Sequence, residues 1–495
     1  MSAPRPRCLA LLAAATIFAG CDASPDSTAA RDARPRPNIV VVLADDLGAG
    51  DLSSLNPDAR TSTPNLDRLR AGGASLSDAH SPSAVCSPTR YGILTGRYCW
   101  RTRLKSGVLW TNDPLLVEDG RPTTASVLRD AGYHTAFVGK WHLGLGSQKP
   151  TDWTRPLDAG PHTVGFIESV GIPSSLDIPP YVWFRDGVGD PPPTGMVEGS
   201  AHRRQDGGGF WRAGAIAEGF EFDEVLPRSV DESIEIVRRH ATDRPDQPLF
   251  LQLWLTAPHT PWLPQEAWRG TSGAGYYGDF VNQVDHEVGR LLAALEATGL
   301  ARDTLFVFTS DNGSHWPVAD IERYGHDAHL GRRGQKADIH EGGHRVPLLI
   351  RWPGMIAPGT TIDETVCLTD LHATSIAAAG LAVDDPEAVG GEDSVDLVPL
   401  LRDGDVSTLA TRPGIVHHGL DGLFAIRVGN WKLVEGLGSG GFTAPRRREP
   451  AEGEPAVQLY DLAADPRETT NLAADHPEVV ARLRSNLEAI RAEDS

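Results

Sequence analysis

A large doubly wound α/β domain is the fold this sequence predicts, with a mixed sheet flanked by helices and a small antiparallel α+β subdomain at its carboxyl end. Three observations carry that expectation. Short, unbroken apolar runs end in polar or charged residues, helix signals lie between them, and the pattern changes character after about Asp385.

The apolar runs are Asn38 to Leu43, ending at Asp45 and Asp46; His134 to Val138, ending at Lys140 and His142; Leu249 to Leu255, ending near His259; and Leu305 to Phe308, ending at Asp311 and Asn312. Buried parallel strands read as continuous apolar runs because helices cover both of their faces. Thr63-Pro64 supplies a cap and a first-turn proline for a helix reaching toward Gly72. Val281, Val284, Val288, Leu291, Leu292 and Leu295 keep helical spacing and predict a helix laying one apolar face on the sheet. Strands alternating with helices imply a doubly wound sheet, and such sheets bind ligands beyond the carboxyl ends of their strands. The polar residues named above all fall there.

Gly146 to Glu224 is rich in Gly, Pro and aromatic residues and has little periodicity. It reads as a long insertion, of the kind that often forms binding loops. After Asp385, Phe424 to Val428 and Trp431 to Val434 flank Gly429-Asn430 as a hairpin. A terminal helix is expected to start near Asp475 to Pro477 and to bury Val479, Val480, Leu483 and Leu487. No internal repeat is evident.

The amino terminus reads as an export leader. Arg5 and Arg7 precede an apolar stretch from Leu9 to Phe18, and Ala19-Gly20-Cys21 resembles a lipoprotein processing site. The expected divisions are a signal segment over 1–21, a tether over 22–36, a catalytic domain over 37–385 and a subdomain over 386–495. Lipidation of Cys21 would anchor the chain to a membrane surface without spanning it, at the periplasmic or outer face of a bacterial cell. Phe18 stands where leucine is usual, so ordinary signal-peptidase cleavage remains the alternative. The net charge of −20 argues against a nucleic-acid partner, and any anionic substrate then needs a local cationic pocket. Apart from Cys8, Cys21 and Cys86, only Cys99 and Cys367 remain, and an oxidising compartment would allow them to pair.

The chemistry centres on Cys86-Ser87-Pro88-Thr89-Arg90, running on to Leu94-Thr95-Gly96. A lone cysteine is usually a buried structural residue. A cysteine phosphatase loop needs five residues between its cysteine and arginine; here three intervene, and Gly92 stands where that arginine would be. Asp45, Asp46, Asp311 and Asn312 are hard oxygen ligands after two strands, a set that selects calcium or magnesium over zinc. His315, His326, His329, His340 and His344 include only the spacing His326-x-x-His329 as a zinc signal and have no cysteine partners, so they read as loop or pocket residues. Trp316 and His326 are expected near the pocket.

Cys-Ser-Pro-Thr-Arg-Tyr-Gly-Ile-Leu-Thr-Gly resembles the first signature of the formylglycine-dependent sulfatases, of the arylsulfatase A type in the alkaline phosphatase superfamily. Gly132 to His142 resembles their second, and Leu459 to Leu462 with Asp465-Pro466 and Asn471-Leu472 resembles their closing segment. The likeness spans nearly the whole chain from Asn38 to Leu472. It implies that Cys86 is oxidised to formylglycine by a formylglycine-generating enzyme, and that the hydrated aldehyde is the oxygen nucleophile. It implies one Ca2+ held by Asp45, Asp46, Asp311, Asn312 and residue 86, the position of Cys86. It also implies that Arg90 orients residue 86, Lys140 and Lys336 bind sulfate, His142 contacts the nucleophile and His259 protonates the leaving alcohol. Three aspartates against a divalent ion and three cations leave the pocket net positive, which suits sulfate and phosphate esters alike.

The expected activity is hydrolysis of sulfate monoesters, of sulfated carbohydrates or aryl sulfates. The rivals are a phosphate or phosphonate monoester hydrolase of the same superfamily, and a lipoprotein that binds sulfated glycans without turnover.

Overall fold

A computed structural model describes residues 1–2, 36–110, 112–201 and 210–492. The expected leader and tether, with Cys8 and Cys21, lie outside the described residues. Arg36–Ser495 forms one compact unit.

Four parallel strands make the centre of a ten-stranded sheet: β1 (Asn38–Asp45), β2 (His134–Lys140), β3 (Leu249–Pro258) and β4 (Thr304–Ser310), in the order β4-β1-β3-β2. Val40 lies beside Leu251 on one side and Phe306 on the other. Leu348–Arg351 then runs antiparallel to β4, making the sheet mixed. Successive side chains of a strand point to opposite faces, and β1 follows that rule. Ile39, Val41 and Leu43 join one core, while Val40, Val42 and Ala44 join the other. Each such side chain, fully buried, contributes roughly 1.5–3 kcal/mol, so a polar residue anywhere between Ile39 and Ala44 would be costly on either face.

On the first face lies α1 (Cys86–Thr95), with Tyr91, Ile93 and Leu94 in the core. The second face is covered by α2 (Val225–Asp243) and α3 (Gly275–Ala297). Val281, Val284, Val288, Leu291 and Leu295 of α3 are buried, as their spacing requires, and Leu292 is partly buried against the same core. The Thr63-Pro64 signal opens the helix Pro64–Ala71, which stops at Gly72.

The insertion is more regular than its composition suggests. Glu168–Ile172 pairs parallel with β2 and extends the sheet, and Phe184–Arg185 and Val188–Gly189 continue it antiparallel. These strands are two to five residues long, too short to leave a periodic signature.

At the carboxyl end, Ile415–His418, Phe424–Val428, Trp431–Val434 and Gln458–Asp461 form an antiparallel four-stranded sheet. The expected hairpin is there, with Val428 opposite Trp431. Helix Pro477–Ala492 covers one face through Leu483, Leu487 and Ile490, with Val479 and Val480 only partly buried. The other face packs on Ile339 through Ala425, Val434 and Tyr460. Cys99 and Cys367 are both buried free thiols, pushed up to about 12 by burial. No helix of the described residues is long and apolar enough to cross a membrane.

Candidate active site

The carboxyl ends of β1 to β4 deliver Asp45, Lys140, His259 and Asp311 to one place, and α1 brings residue 86 to meet them. Cys86 is the first residue of α1, following the extended Val85. The partial positive charge of a helix N-terminus therefore falls on whatever oxygen or sulfur residue 86 carries. Burial pushes the Cys86 thiol up, against the pull of Lys140 and Lys336. A protonated thiol is a poor nucleophile, so the encoded side chain alone is badly suited to attack.

Cys86 Sγ lies 3.2 Å from His142 Nδ1. His142 Nε2 donates to the Leu109 carbonyl at 2.9 Å, which leaves the Nδ1 lone pair facing residue 86. Burial first, then the charges of Lys140 and Arg90, hold His142 well below the usual histidine range, so it is a neutral base. Its backbone is left-handed, with φ 53°, an uncommon conformation for a non-glycine residue.

Arg90 is fully buried. Its Nε and Nη2 donate to Asp311 Oδ2 at 3.0 and 2.8 Å, and Nη1 donates to the Lys140 carbonyl at 2.8 Å. Lys140 Nζ donates to Asp45 Oδ2 at 2.5 Å. Next to Lys140, Gly139 has φ 108°, and a Cβ there would sit 1.9 Å from the Trp254 carbonyl oxygen. Only glycine lets β2 approach β3 this closely.

Lys336 Nζ donates to Asp46 Oδ2 at 2.8 Å. Its loop is pinned on three sides: Lys336 N donates to Ser314 O, Ala337 N to Ala84 O, and Ile339 N to Ser439 O. The carboxyl-terminal sheet thus backs the segment that presents Lys336. Lys432 of that sheet ties it further, bridging Glu341 at 3.1 Å and Glu468 at 2.8 Å, all three buried.

Asp45, Asp46 and Asp311 converge, and Asn312 Nδ2 donates to Asp46 Oδ1 at 2.7 Å. Burial and the charge of Asp45 push Asp311 up, whereas Asp45 is drawn down, against its own burial, by Lys140, His259 and Arg90. Asp45 Oδ1 and Asn312 Oδ1 are buried and have no hydrogen-bond partner among the described residues. Asp45, Asp46 and His259 bring ligand atoms within 4.8 Å of one another. Carboxylate and amide oxygens in this arrangement fit a hard divalent cation, which would satisfy the two orphaned oxygens and relieve the carboxylate repulsion.

His259 Nδ1 donates to the Thr260 carbonyl, and Nε2 lies 3.8 Å from Asp46 Oδ2. Cys86, His142, His259 and Lys336 line one cavity of about 560 Å³. The model for the Sulfatase family matches residues 37–381.

The chain belongs to that family. It is a sulfuric ester hydrolase, like its curated relatives. An N-acetylgalactosamine-6-O-sulfatase of Bacteroides thetaiotaomicron is 30% identical over 98% of this chain and 99% of its own length. Human arylsulfatase A is 33% identical over 100% of this chain and 92% of its own. A solved structure from work on glycosaminoglycan metabolism by Bacteroides thetaiotaomicron superposes with a TM-score of 0.81 at 28% identity, covering 93% of this chain and all of that one.

Asp45, Asp46, Cys86, Arg90, Lys140, His142, His259, Asp311, Asn312 and Lys336, the residues singled out in the sequence, all meet in this one place. The expected pocket neighbours divide. His315 lines the cavity, but Trp316 and His326 lie behind it in the core: Trp316 stacks on Tyr277, and His326 bonds Asp51 at 2.8 Å. The His326-x-x-His329 pair is split, since His329 bonds Ser314. His344 joins His80 and His417 in a buried cluster. Missed altogether were Trp110, Asp177 and Arg212, which also line the cavity. They lie in or near aperiodic segments where no motif singles them out.

Proposed function

We propose that this sulfatase is an exported enzyme that removes sulfate from glycans, using formylglycine at position 86 and one Ca2+. The observation that carries the reading is the Cys86–His142 contact at the floor of the cavity, with the Lys336 ammonium also on its wall. The full-length likeness to a sulfatase acting on N-acetylgalactosamine 6-sulfate supports a sugar substrate, and the leader-like amino terminus with Cys21 supports export and lipid anchoring.

Hydrated formylglycine supplies an oxygen nucleophile that no encoded side chain offers, and Ca2+ at Asp45, Asp46, Asp311 and Asn312 supplies positive charge beside it. The rest is done by the chain. His142 Nδ1 faces residue 86 with a free lone pair and takes a proton from it. Lys336 holds a sulfate oxygen, and Lys140, fixed by Asp45, adds positive charge beneath it. Arg90 locks Asp311 and the end of β2 into register. His259, with its Nδ1–H held by the Thr260 carbonyl, donates a proton from Nε2 in its imidazolium form to the departing alcohol and is left neutral. Such a role is typically worth about 10²- to 10⁴-fold and matters most for sugar alcohols because they leave poorly.

The decisive experiment pairs peptide mass across residue 86 with sulfate release from a panel of sulfated sugars. Aldehyde at position 86 together with sulfate release is the expected result. Unmodified Cys86 in an active preparation would overturn the formylglycine mechanism. For export, the native chain should partition with membranes and a Cys21→Ser variant should not.

A further inference from the structure

One ion pair on the cavity wall is not used by the chemistry above. Arg212 Nη1 donates to Asp177 Oδ2 at 2.7 Å and to the Asp177 carbonyl at 2.9 Å. The guanidinium carbon lies 5.0 Å from the Trp110 ring centroid and 5.1 Å from that of Phe210. Arg212 is therefore held in place by two hydrogen bonds and two aromatic contacts. Asp177 is only 9% exposed, and its Oδ1 has no hydrogen-bond partner among the described residues. Burial raises the Asp177 carboxyl, but the charges of His259, Arg212 and Lys336 outweigh that and keep it ionised.

A buried carboxylate oxygen without a donor is costly, and a ligand that supplies a hydroxyl removes the cost. Beside it, Arg212 offers the complementary donors. A carboxylate and a guanidinium side by side match a polyol, which can donate to one and accept from the other. They do not match a flat apolar ligand, which would bury the pair and return nothing. At the cavity mouth, Trp110 and Phe442 are 51% and 46% exposed. Aromatic walls with a few placed polar groups are how pockets fix orientation, and the apolar face of a sugar ring packs on such walls.

We propose that the Asp177–Arg212 pair is the substrate-reading element of this pocket, selecting the sulfate ester of a pyranose with a free hydroxyl beside the ester over aryl and steroid sulfates. The inference rests on the sulfatase reading of the site and names its substrate class. Asp177 accepts from the sugar hydroxyl, and Arg212 orients Asp177 and donates to the same or a neighbouring oxygen.

The test uses the full chain carrying the aldehyde at position 86. kcat/KM is measured on mono-sulfated galactose and N-acetylgalactosamine, on 4-nitrophenyl sulfate and on a steroid sulfate, for wild type, Asp177→Asn and Arg212→Met. The expected result is a sugar-to-aryl selectivity ratio that falls about 10²-fold in Asp177→Asn, the scale of a lost hydrogen bond to a charged group. Equal losses on sugar and aryl sulfates would overturn the inference while leaving the sulfatase reading intact. A second measurement needs no variant: deoxy analogues of the best sugar substrate, each lacking one hydroxyl, are compared on wild type. One analogue should lose about as much as the Asp177→Asn substitution costs, and uniform turnover of all of them would overturn the proposal. Sulfate release from neither class by wild type would overturn the sulfatase reading and this inference together.

Discussion

Cys86 Sγ and His142 Nδ1 face each other at 3.2 Å, and the hydrogen bond from His142 Nε2 to Leu109 decides which ring nitrogen does so. A histidine held as a neutral, oriented base removes the need to rearrange a proton before attack. Replacing His142 by Ala should lower kcat by about 10²- to 10⁴-fold with little change in KM. Steady-state kinetics on a sulfate ester reads this out, and a pure KM effect would assign His142 to binding instead.

The two orphaned oxygens at Asp45 and Asn312 predict a dependence on divalent cation. A ligand that binds only the folded state stabilises it by mass action, so Tm should rise with free Ca2+ and fall under EGTA. Asp45→Asn should flatten that dependence. A Tm indifferent to both Ca2+ and chelator would show that these oxygens hold no ion.

Lys432 is fully buried between Glu341 and Glu468. Removing one partner of a buried ion pair leaves uncompensated charge and costs roughly 3–5 kcal/mol. Lys432→Met should show that loss in urea unfolding. Because Glu341 follows the Lys336 loop, sulfate-ester turnover should fall as well. Wild-type stability in this variant would mean that the carboxylates find other partners or become protonated.

Buried histidines predict how stability varies with pH. Burial holds His372 and His418 at about 4, and it holds His344 and His417 well below the ordinary 6.5. Between the folded and unfolded values the unfolded chain binds more protons, so stability rises with pH there. It is complete above about pH 6.5 and is lost as pH falls from there toward 4. Thermal unfolding from pH 8 to 4.5 should give a plateau and then a decline. A Tm that holds constant down to pH 5 would contradict the neutral-histidine assignment.

The central strands and the helix that begins at Cys86 were legible because each leaves a local mark. β1 to β4 are covered on both faces, so burial is written as unbroken apolar runs, and the candidate ligands follow directly at the strand ends. The residue 86 motif is likewise contiguous. Other features left weaker marks. Glu168–Ile172 extends the sheet with only five residues, and Trp316 belongs to the core although its neighbour His315 reaches the cavity.

The sequence by itself determined the fold class, the carboxyl-end location of the candidate site and the residues that gather there, because burial periodicity and contiguous motifs are properties of neighbouring residues. Tertiary structure alone decided which His142 nitrogen faces residue 86, how the carboxyl-terminal sheet holds Lys336, and that Asp177 and Arg212 meet across an aperiodic insertion. Those relationships join residues far apart in the chain. Their energy comes from a hydrogen bond or an ion pair that exists only once the chain has closed, and no local pattern records it.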